Sequence, residues 1–445
     1  MKKIYSVLFI LLICAGADAQ SFRTGYFLDN YVFRYRINPA INPEESFFGI
    51  AVSNLDLQNN STIGVSSLLY PNGGSIVTGL HSSVDANTFL SNLSEVNALN
   101  LDESINILSL GFAKENHAST IEFNVRSTAG ASLPYNLFAF LKKGGTNTSY
   151  NIGDIYASAN AFADLVYGYS HQISDRLSIG ARVHALIGLA SVNANGNENS
   201  ISMNEQEISI NTNLALSSAG LVQLGFSDGA IDLDKTVLGM DNGMGGFGAS
   251  IDLGAIYKPV DGLELSFSVN DLGGISWKNN VNAEAYGAHS FKGGNITFNG
   301  GNVTSDFEDT LDKFIKSFNF KSTGKTSKFK LMPMTISAGA RYRMPFYEGL
   351  STGLLATFHT GKYTSWYDVR FGATVSPARI ISATANVGVT SFGPSFGAAF
   401  NMHLGPLNLT LGIDSYIGKI AKLEKLSVPL NKFQENIHFG LAFSF

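Results

Sequence analysis

Apolar residues fall on every second position through long stretches of this chain, and a period of two predicts β-strands. Ile121, Phe123 and Val125 alternate with Glu122, Asn124 and Arg126. Leu177, Ile179, Ala181, Val183, Ala185 and Ile187 alternate with Ser178, Gly180, Arg182, His184, Leu186 and Gly188. The same rhythm sets Phe247, Ala249, Ile251, Leu253 and Ala255 against Gly248, Ser250, Asp252, Gly254 and Ile256. It sets Leu263, Leu265, Phe267 and Val269 against Glu264, Ser266, Ser268 and Asn270. In the final third, 334–344, 350–359, 366–376, 380–390, 395–404 and 407–415 follow one another with very short connections such as Pro377-Ala378-Arg379 and Gly405-Pro406. Those connections are turn sequences. Runs of about 9–11 residues suit a membrane-crossing strand tilted by ~45°, and short turns between them make an antiparallel meander.

The tail repeats the pattern with aromatic emphasis. Ile437, Phe439, Leu441, Phe443 and Phe445 share one face, and His438, Gly440, Ala442 and Ser444 share the other. An open sheet edge invites further pairing, whereas a barrel pairs its last strand with its first. A soluble β-sandwich also alternates, but it turns a well-charged face outward. Here the polar faces are mostly Gly, Ser, Thr and Asn. The expected fold is therefore all-β, a transmembrane antiparallel up-and-down β-barrel of about 14 strands, with 12–16 admissible. Longer connections are read at 193–205, 216–245, 277–329 and 416–435, as in barrels with short turns at one end and long loops at the other. Short loop helices are expected at 85–96, 135–143 and 307–320.

Composition supports this reading. Charged residues make up 15% of the chain, and net charge is −5, which gives no electrostatic case for nucleic acid. No apolar stretch after the first residues reaches the ~20 needed for a spanning helix. The start, Met1-Lys2-Lys3, an apolar run to Ala15 and Ala17-Asp18-Ala19, reads as a secretory signal peptide over 1–19. A lipoprotein reading through Leu11-Leu12-Ile13-Cys14 is weakened by the bulky Ile13. Cys14 is the single cysteine, so the mature chain has no disulfide and no thiolate metal site.

With apolar side chains facing lipid, the other phase gives the lumen inventory. It holds the acids Glu122, Asp252, Glu264, Asp368 and Asp414 and the arginines Arg126, Arg182, Arg341, Arg343 and Arg370. His184, His359, His403 and His438 point the same way. A charge on the lipid face costs about 2–4 kcal/mol at the bilayer midplane, so their shared phase supports the assignment. Five acids against five arginines leave no net field. This favours a polar network holding the barrel or seating a plug over a selectivity ring. The histidines lack short metal-ligand spacing, and no metal or cofactor is expected.

Two motif matches lack their context. Gly243, Gly245 and Gly248 fit G-x-G-x-x-G but open a strand. Gly349, Ser351 and Gly353 fit G-x-S-x-G but lie at a hairpin. No nucleophile, base and orienting group can be assembled, so an enzyme is not expected. Residues 20–45 lack alternation and contain Pro39 and Pro43, which suit no central strand. They are expected to form an N-terminal plug or latch ahead of a barrel over 46–445, with a surface-lying extension as the alternative.

Asn38-Pro39-Ala40, the block 246–259 and the block 268–277 together resemble outer-membrane barrels of the Bacteroidota, an uncharacterised family similar in layout to fatty-acid-transporter-like and type IX secretion shuttle-like barrels. The resemblance implies about 14 strands, an N-terminal plug-like element and large outer loops; it carries over no ligand residue. The expected location is the outer membrane, among its lipids. The leading expectation is passage or binding of a small hydrophobic molecule. The alternative is a non-transporting barrel that meets an envelope or secretion protein through its long loops.

Overall fold

The computed structural model describes residues 22–445 except 74, 145–147, 204–206, 233–234, 240–242, 293–319, 362–364, 417–419, 424–425 and 430–431. The signal peptide read over 1–19 lies outside the described residues, as does the helix read at 307–320 apart from Phe320.

Fourteen strands form one closed antiparallel barrel. They are β1 Phe47–Ser61, β2 Val96–Lys114, β3 His117–Pro134, β4 Thr148–Ser174 and β5 Leu177–Met203. After them come β6 Gly246–Tyr257, β7 Leu263–Lys292, β8 Thr335–Arg343, β9 Leu350–His359 and β10 Trp366–Ala378. The last four are β11 Ile381–Thr390, β12 Gly393–Leu404, β13 Leu407–Tyr416 and β14 Phe433–Ser444. Each pairs with the next, and β14 closes the cylinder on β1, from Phe47 opposite Ser444 to Ser61 opposite Phe433. Closure satisfies every strand's backbone groups within the sheet, which an oily surround requires. Two stacked sheets, the sandwich alternative, are absent from the described residues.

The alternation read from the sequence sorts side chains as expected. Along β10, Trp366, Asp368, Arg370, Gly372 and Thr374 turn inward and are buried, while Tyr367, Val369, Phe371 and Val375 turn outward and are exposed. Phe247, Phe267, Val387 and Ile437 are each at least half exposed on the outer wall. Large apolar side chains on the outside and buried polar ones within reverse the soluble pattern. The outer wall is thus a surface for hydrocarbon.

Turns at 115–116, 175–176, 258–262, 344–349, 379–380 and 405–406 form one rim, and the longer connections form the other. At this second rim the structure corrects the sequence reading. Much of what reads as loop continues as strand: β5 runs to Met203, β7 runs to Lys292, and strands Glu207–Gly220 and Lys321–Leu331 pair with them. Twenty-seven residues in β4 extend roughly 90 Å along the strand at about 3.3 Å each, well beyond a hydrocarbon core of ~30 Å. Outside lipid neither face must be apolar, so the rhythm fades while the pairing persists.

This projecting sheet carries its own core. Helix α1, Ala86–Ser91, is capped by Asp85, whose carboxylate accepts from the Thr88 amide at 2.9 Å. Helix α2 spans Tyr135–Lys143, the range read from sequence. Phe89, Leu90, Val84 and Ala139 form one cluster. Leu137, Ile152, Ile201, Ile210 and Phe320 form a second. The result is a folded head above one side of the barrel.

Replacing Val387 with Arg should destabilise the barrel by about 2–4 kcal/mol, measured by urea unfolding from lipid vesicles. A loss below about 0.5 kcal/mol, the size of an ordinary surface change, would place Val387 outside the hydrocarbon.

Candidate functional site

Most of residues 22–40 is buried against the inward faces of the strands, and Glu44 and Glu45 are exposed. Two short 3₁₀ turns, Arg23–Tyr26 and Val32–Arg36, fold the segment back on itself. Phe22, Tyr26, Phe27, Leu28, Tyr31, Phe33 and Tyr35 are all at least 95% buried. Phe22 stacks on His438 of β14 at 4.4 Å, and the Tyr31 hydroxyl meets the His438 Nε2 at 3.0 Å.

The wall is shaped to receive it. The Asn38 amide donates to the carbonyls of Ala255 at 3.2 Å and Phe267 at 3.1 Å, pinning Asn38-Pro39-Ala40 onto β6 and β7. A Cβ at Gly254 would collide with the Asn38 Oδ1, and a Cβ at Gly412 would overlap the Phe22 ring. Glycine at both positions is explained by this close approach.

Charge ties the segment to the wall in three places. Arg23 lies 3.2 Å from Asp368 and 3.7 Å from Asp414, and Arg370 bridges the same acids at 2.7 and 2.5 Å. The Arg23 guanidinium also lies over the Trp366 ring at 4.9 Å. In the second place, Glu122 accepts from Arg36 at 3.0 Å, from Arg182 at 2.6 Å, and from the Tyr35 hydroxyl. Arg182 reaches Asp252 at 2.9 Å, and Arg126 joins Asp271 at 2.7 Å and Asp164 at 3.3 Å. His184 stands between Asp164 and Asp252 with each ring nitrogen 3.0 Å from a carboxylate.

Third, Asp29 accepts from Arg341 at 2.6 Å and from Ser376 at 2.9 Å. Burial works to raise the Asp29 pKa, but the adjacent Arg341 outweighs it and holds the carboxyl below its ordinary value. The cavities left among these groups measure about 60 and 40 Å3, room for a few waters.

Of the residues read from sequence, Glu122, Arg126, Arg182, His184, Asp252, Arg341, Asp368, Arg370 and Asp414 are buried inside the barrel. So are His359 and His438. Glu264 is less buried, 3.8 Å from Arg34. Arg343 departs from the reading: it shares the inward phase, but its side chain is 56% exposed at the short-turn rim, 3.7 Å from Asp29. His403 is also at this rim, 3.5 Å from Glu45.

Six wall or segment partners were missed, for different reasons. Asp164 was readable, since it lies out of phase with Leu165 and Tyr167. Asp56 follows a register shift in β1 between Phe48 and Asn54. Asp271 has the phase of a lipid-facing residue, yet a bulge opposite Asp252 with φ +63° turns it inward. The segment's own Arg23, Arg34 and Arg36 carry no periodic signal. The even balance of five acids and five arginines is therefore not the wall's own: with Asp56, Asp164 and Asp271 added and Arg343 at the rim, the wall is acid-rich and the segment brings the missing cations.

Two substitutions test this seat. Arg182→Met leaves Glu122 and Asp252 short of a buried partner and should cost about 3–5 kcal/mol of unfolding free energy. Gly412→Leu should expel Phe22 and open Arg23, Arg34 and Arg36 to trypsin in a barrel that still migrates as folded; continued protection would show that the seat tolerates the side chain.

Among solved structures, the chain is similar to the toluene transporter TodX of Pseudomonas putida, at 11% identity and TM-score 0.42 over 92% of each chain. A FadL homologue of Pseudomonas aeruginosa matches at 11% identity and TM-score 0.42, over 97% of this chain and 100% of that one. The translocator domain of the autotransporter NalP from Neisseria meningitidis matches at 9% identity and TM-score 0.34, over 91% and 90%. No curated protein matches. A family of unknown function, DUF5723, matches residues 39–414, and the chain belongs to that family.

Proposed function

We propose that this protein is an outer-membrane barrel closed by its own residues 20–45, which act as a plug, and that it works through its head as a docking platform for another envelope or secreted protein. The observation that carries this reading is the filled lumen. Arginines of the segment bind acids on β3, β10 and β13, and the cavity beside Arg36, Glu122 and Arg182 measures only about 60 Å3. Ionic groups bridging the bore offer no apolar path along it. Short turns face the periplasm in barrels of this kind, which puts the head, with its two clusters and α2, on the outer side. The barrel then serves as a stiff pedestal.

A second reading, sideways passage of a small hydrophobic molecule, is favoured by the seam between β1 and β2. Their ladder pairs Phe47–Ile50 with Leu108–Gly111 and stops there. It resumes at Thr62, whose amide donates to the Ala98 carbonyl at 2.9 Å. Between those points, side chains such as Ser53 and Asn106 hold the strands together.

The two readings separate cleanly. Replacing residues 65–93 with a short Gly/Ser linker should abolish co-purification of the docked protein and leave the barrel folded; an unchanged set of co-purifying proteins refutes docking. Cross-linking the seam through S53C and N106C should leave docking intact, and it should stop hydrocarbon uptake only if the second reading holds. Deleting residues 22–45 should turn a silent protein into a conducting pore in planar bilayers.

A further inference from the structure

The barrel closes on itself, but the sheet that projects above it has an open side. Strand Lys321–Leu331 continues the line of β8 along β7, from Leu331 opposite Gly274 to Lys321 opposite Glu284. On its other side β9 stops at His359, opposite Thr335, and the Thr360 amide makes a last bond to the Met334 carbonyl at 2.9 Å. At the far end Ala230 pairs with Lys321, and the Ser322 amide donates to the Gly229 carbonyl at 3.0 Å. Between these points, over 323–331, no strand among the described residues pairs with that side. The Met332 amide donates to the Gly273 carbonyl of β7 at 3.0 Å. Backbone groups alternate sides along a strand, so those of Leu331 and Phe329 point to the open side.

Neither face of this strand is covered. Residues 321–329 are exposed, and Phe329 and Leu331 are 61% and 72% exposed. Phe329, opposite Ser276, and Leu331, opposite Gly274, share one face; Lys328, opposite Trp277, and Lys330, opposite Ile275, share the other. The strand holds Lys321, Lys325, Lys328 and Lys330 and no acid, and exposed Lys278 on β7 adds a fifth cation. The nearby exposed acids, Glu284 and Asp228, lie at the Lys321 end, and Asp232 is 4.0 Å from Lys235. Below Lys330, Asp271 is paired with Arg126 at 2.7 Å and Asp102 is buried in the bore. Lys330 itself donates to Asn193 at 2.9 Å. Positive charge is therefore left at Lys325 and Lys328, next to the open side. Lysine guards an edge against its own kind: a second copy of this strand would be repelled, and an acidic one would not.

We infer that the open side of Lys321–Leu331 takes an extended acidic segment of the docked protein as an added strand. Its acids lie on the face of Lys328, and its apolar residues lie on the face of Phe329 and Leu331. Main-chain hydrogen bonds at the edge supply affinity, and the alternating side chains supply choice of partner. The inference rests on the docking reading above and names how the partner is held.

The test uses the full-length protein in detergent and a fluorescein-labelled octapeptide, Ser-Glu-Phe-Glu-Val-Glu-Leu-Ser, read by anisotropy. It should bind at least tenfold more tightly than the same peptide with lysine for each glutamate. It should also bind at least tenfold more tightly than a copy N-methylated at its two central amides, which spoils both edges and keeps the charge. Phe329→Pro removes the donor on the open side and spares the ladder to β7; it should weaken the acidic peptide tenfold. Lys325→Glu with Lys328→Glu should reverse the preference between the acidic and basic peptides. Heat-modifiable migration on gels confirms that each variant is folded. Equal binding of the methylated or the basic peptide, or unchanged binding to Phe329→Pro, would overturn the inference. Co-purification separates it from the reading beneath it. Phe329→Pro should lose the docked protein, as the replacement of 65–93 does; loss in the replacement alone overturns strand addition and leaves docking standing, and loss in neither overturns docking itself.

Discussion

A charge inside a cylinder whose outer wall faces oil can be neutralised only from within, and the rest of this structure follows from that constraint. The buried wall presents Arg126, Arg182, Arg341 and Arg370 against Asp56, Glu122, Asp164, Asp252, Asp271, Asp368 and Asp414. Left alone, that surplus of acids would repel itself or draw protons and water. The N-terminal segment brings Arg23, Arg34 and Arg36 with Asp29, its Glu44 and Glu45 staying exposed at the rim, and joins the wall's ion pairs at three levels. A buried pair adds little stability over apolar packing, yet losing one partner is severe. The network therefore acts less as glue than as a specification of where the segment must lie.

Most of the barrel was legible in the sequence because lipid enforces the two-residue rhythm on the outward face where it applies. β9 to β14 show this best: inward and outward residues alternate and the turns are short. Legibility fades where that solvent ends. The projecting parts of β5 and β7 read as loops because water accepts either face. Inside the bore, Glu122, Arg182 and Asp252 were visible from phase alone. Asp271 was not, because a single bulge reverses its direction, and a bulge leaves no periodic trace. The segment's seat was hidden for another reason: the contact of Asn38 with β6 and of Phe22 with β13 joins parts of the chain hundreds of positions apart. The glycines that make room for them resemble any other strand glycine.

The molecule is also lopsided in a way that bears on its use. Long strands, α1 and α2 rise over β2 to β5 and β7, while β11 and β12 are joined by the short connection 391–392. The long-strand rim thus offers a folded body on one flank, and the short-turn rim carries a cavity of about 260 Å3 between the segment and the turns. Two chemically distinct surfaces therefore stand at opposite rims of the barrel.

Residue 23 meets residue 414, and this has a temporal meaning. Residue 23 cannot settle until almost the last strands have formed, since its acid partners on β10 and β13 come late in the chain. Ordering one end of the chain against the other closes a very large loop, a slow event in any folding reaction. The arginine- and tyrosine-rich segment thus stays without its acid partners throughout sheet formation, and seating it reports that the cylinder is complete.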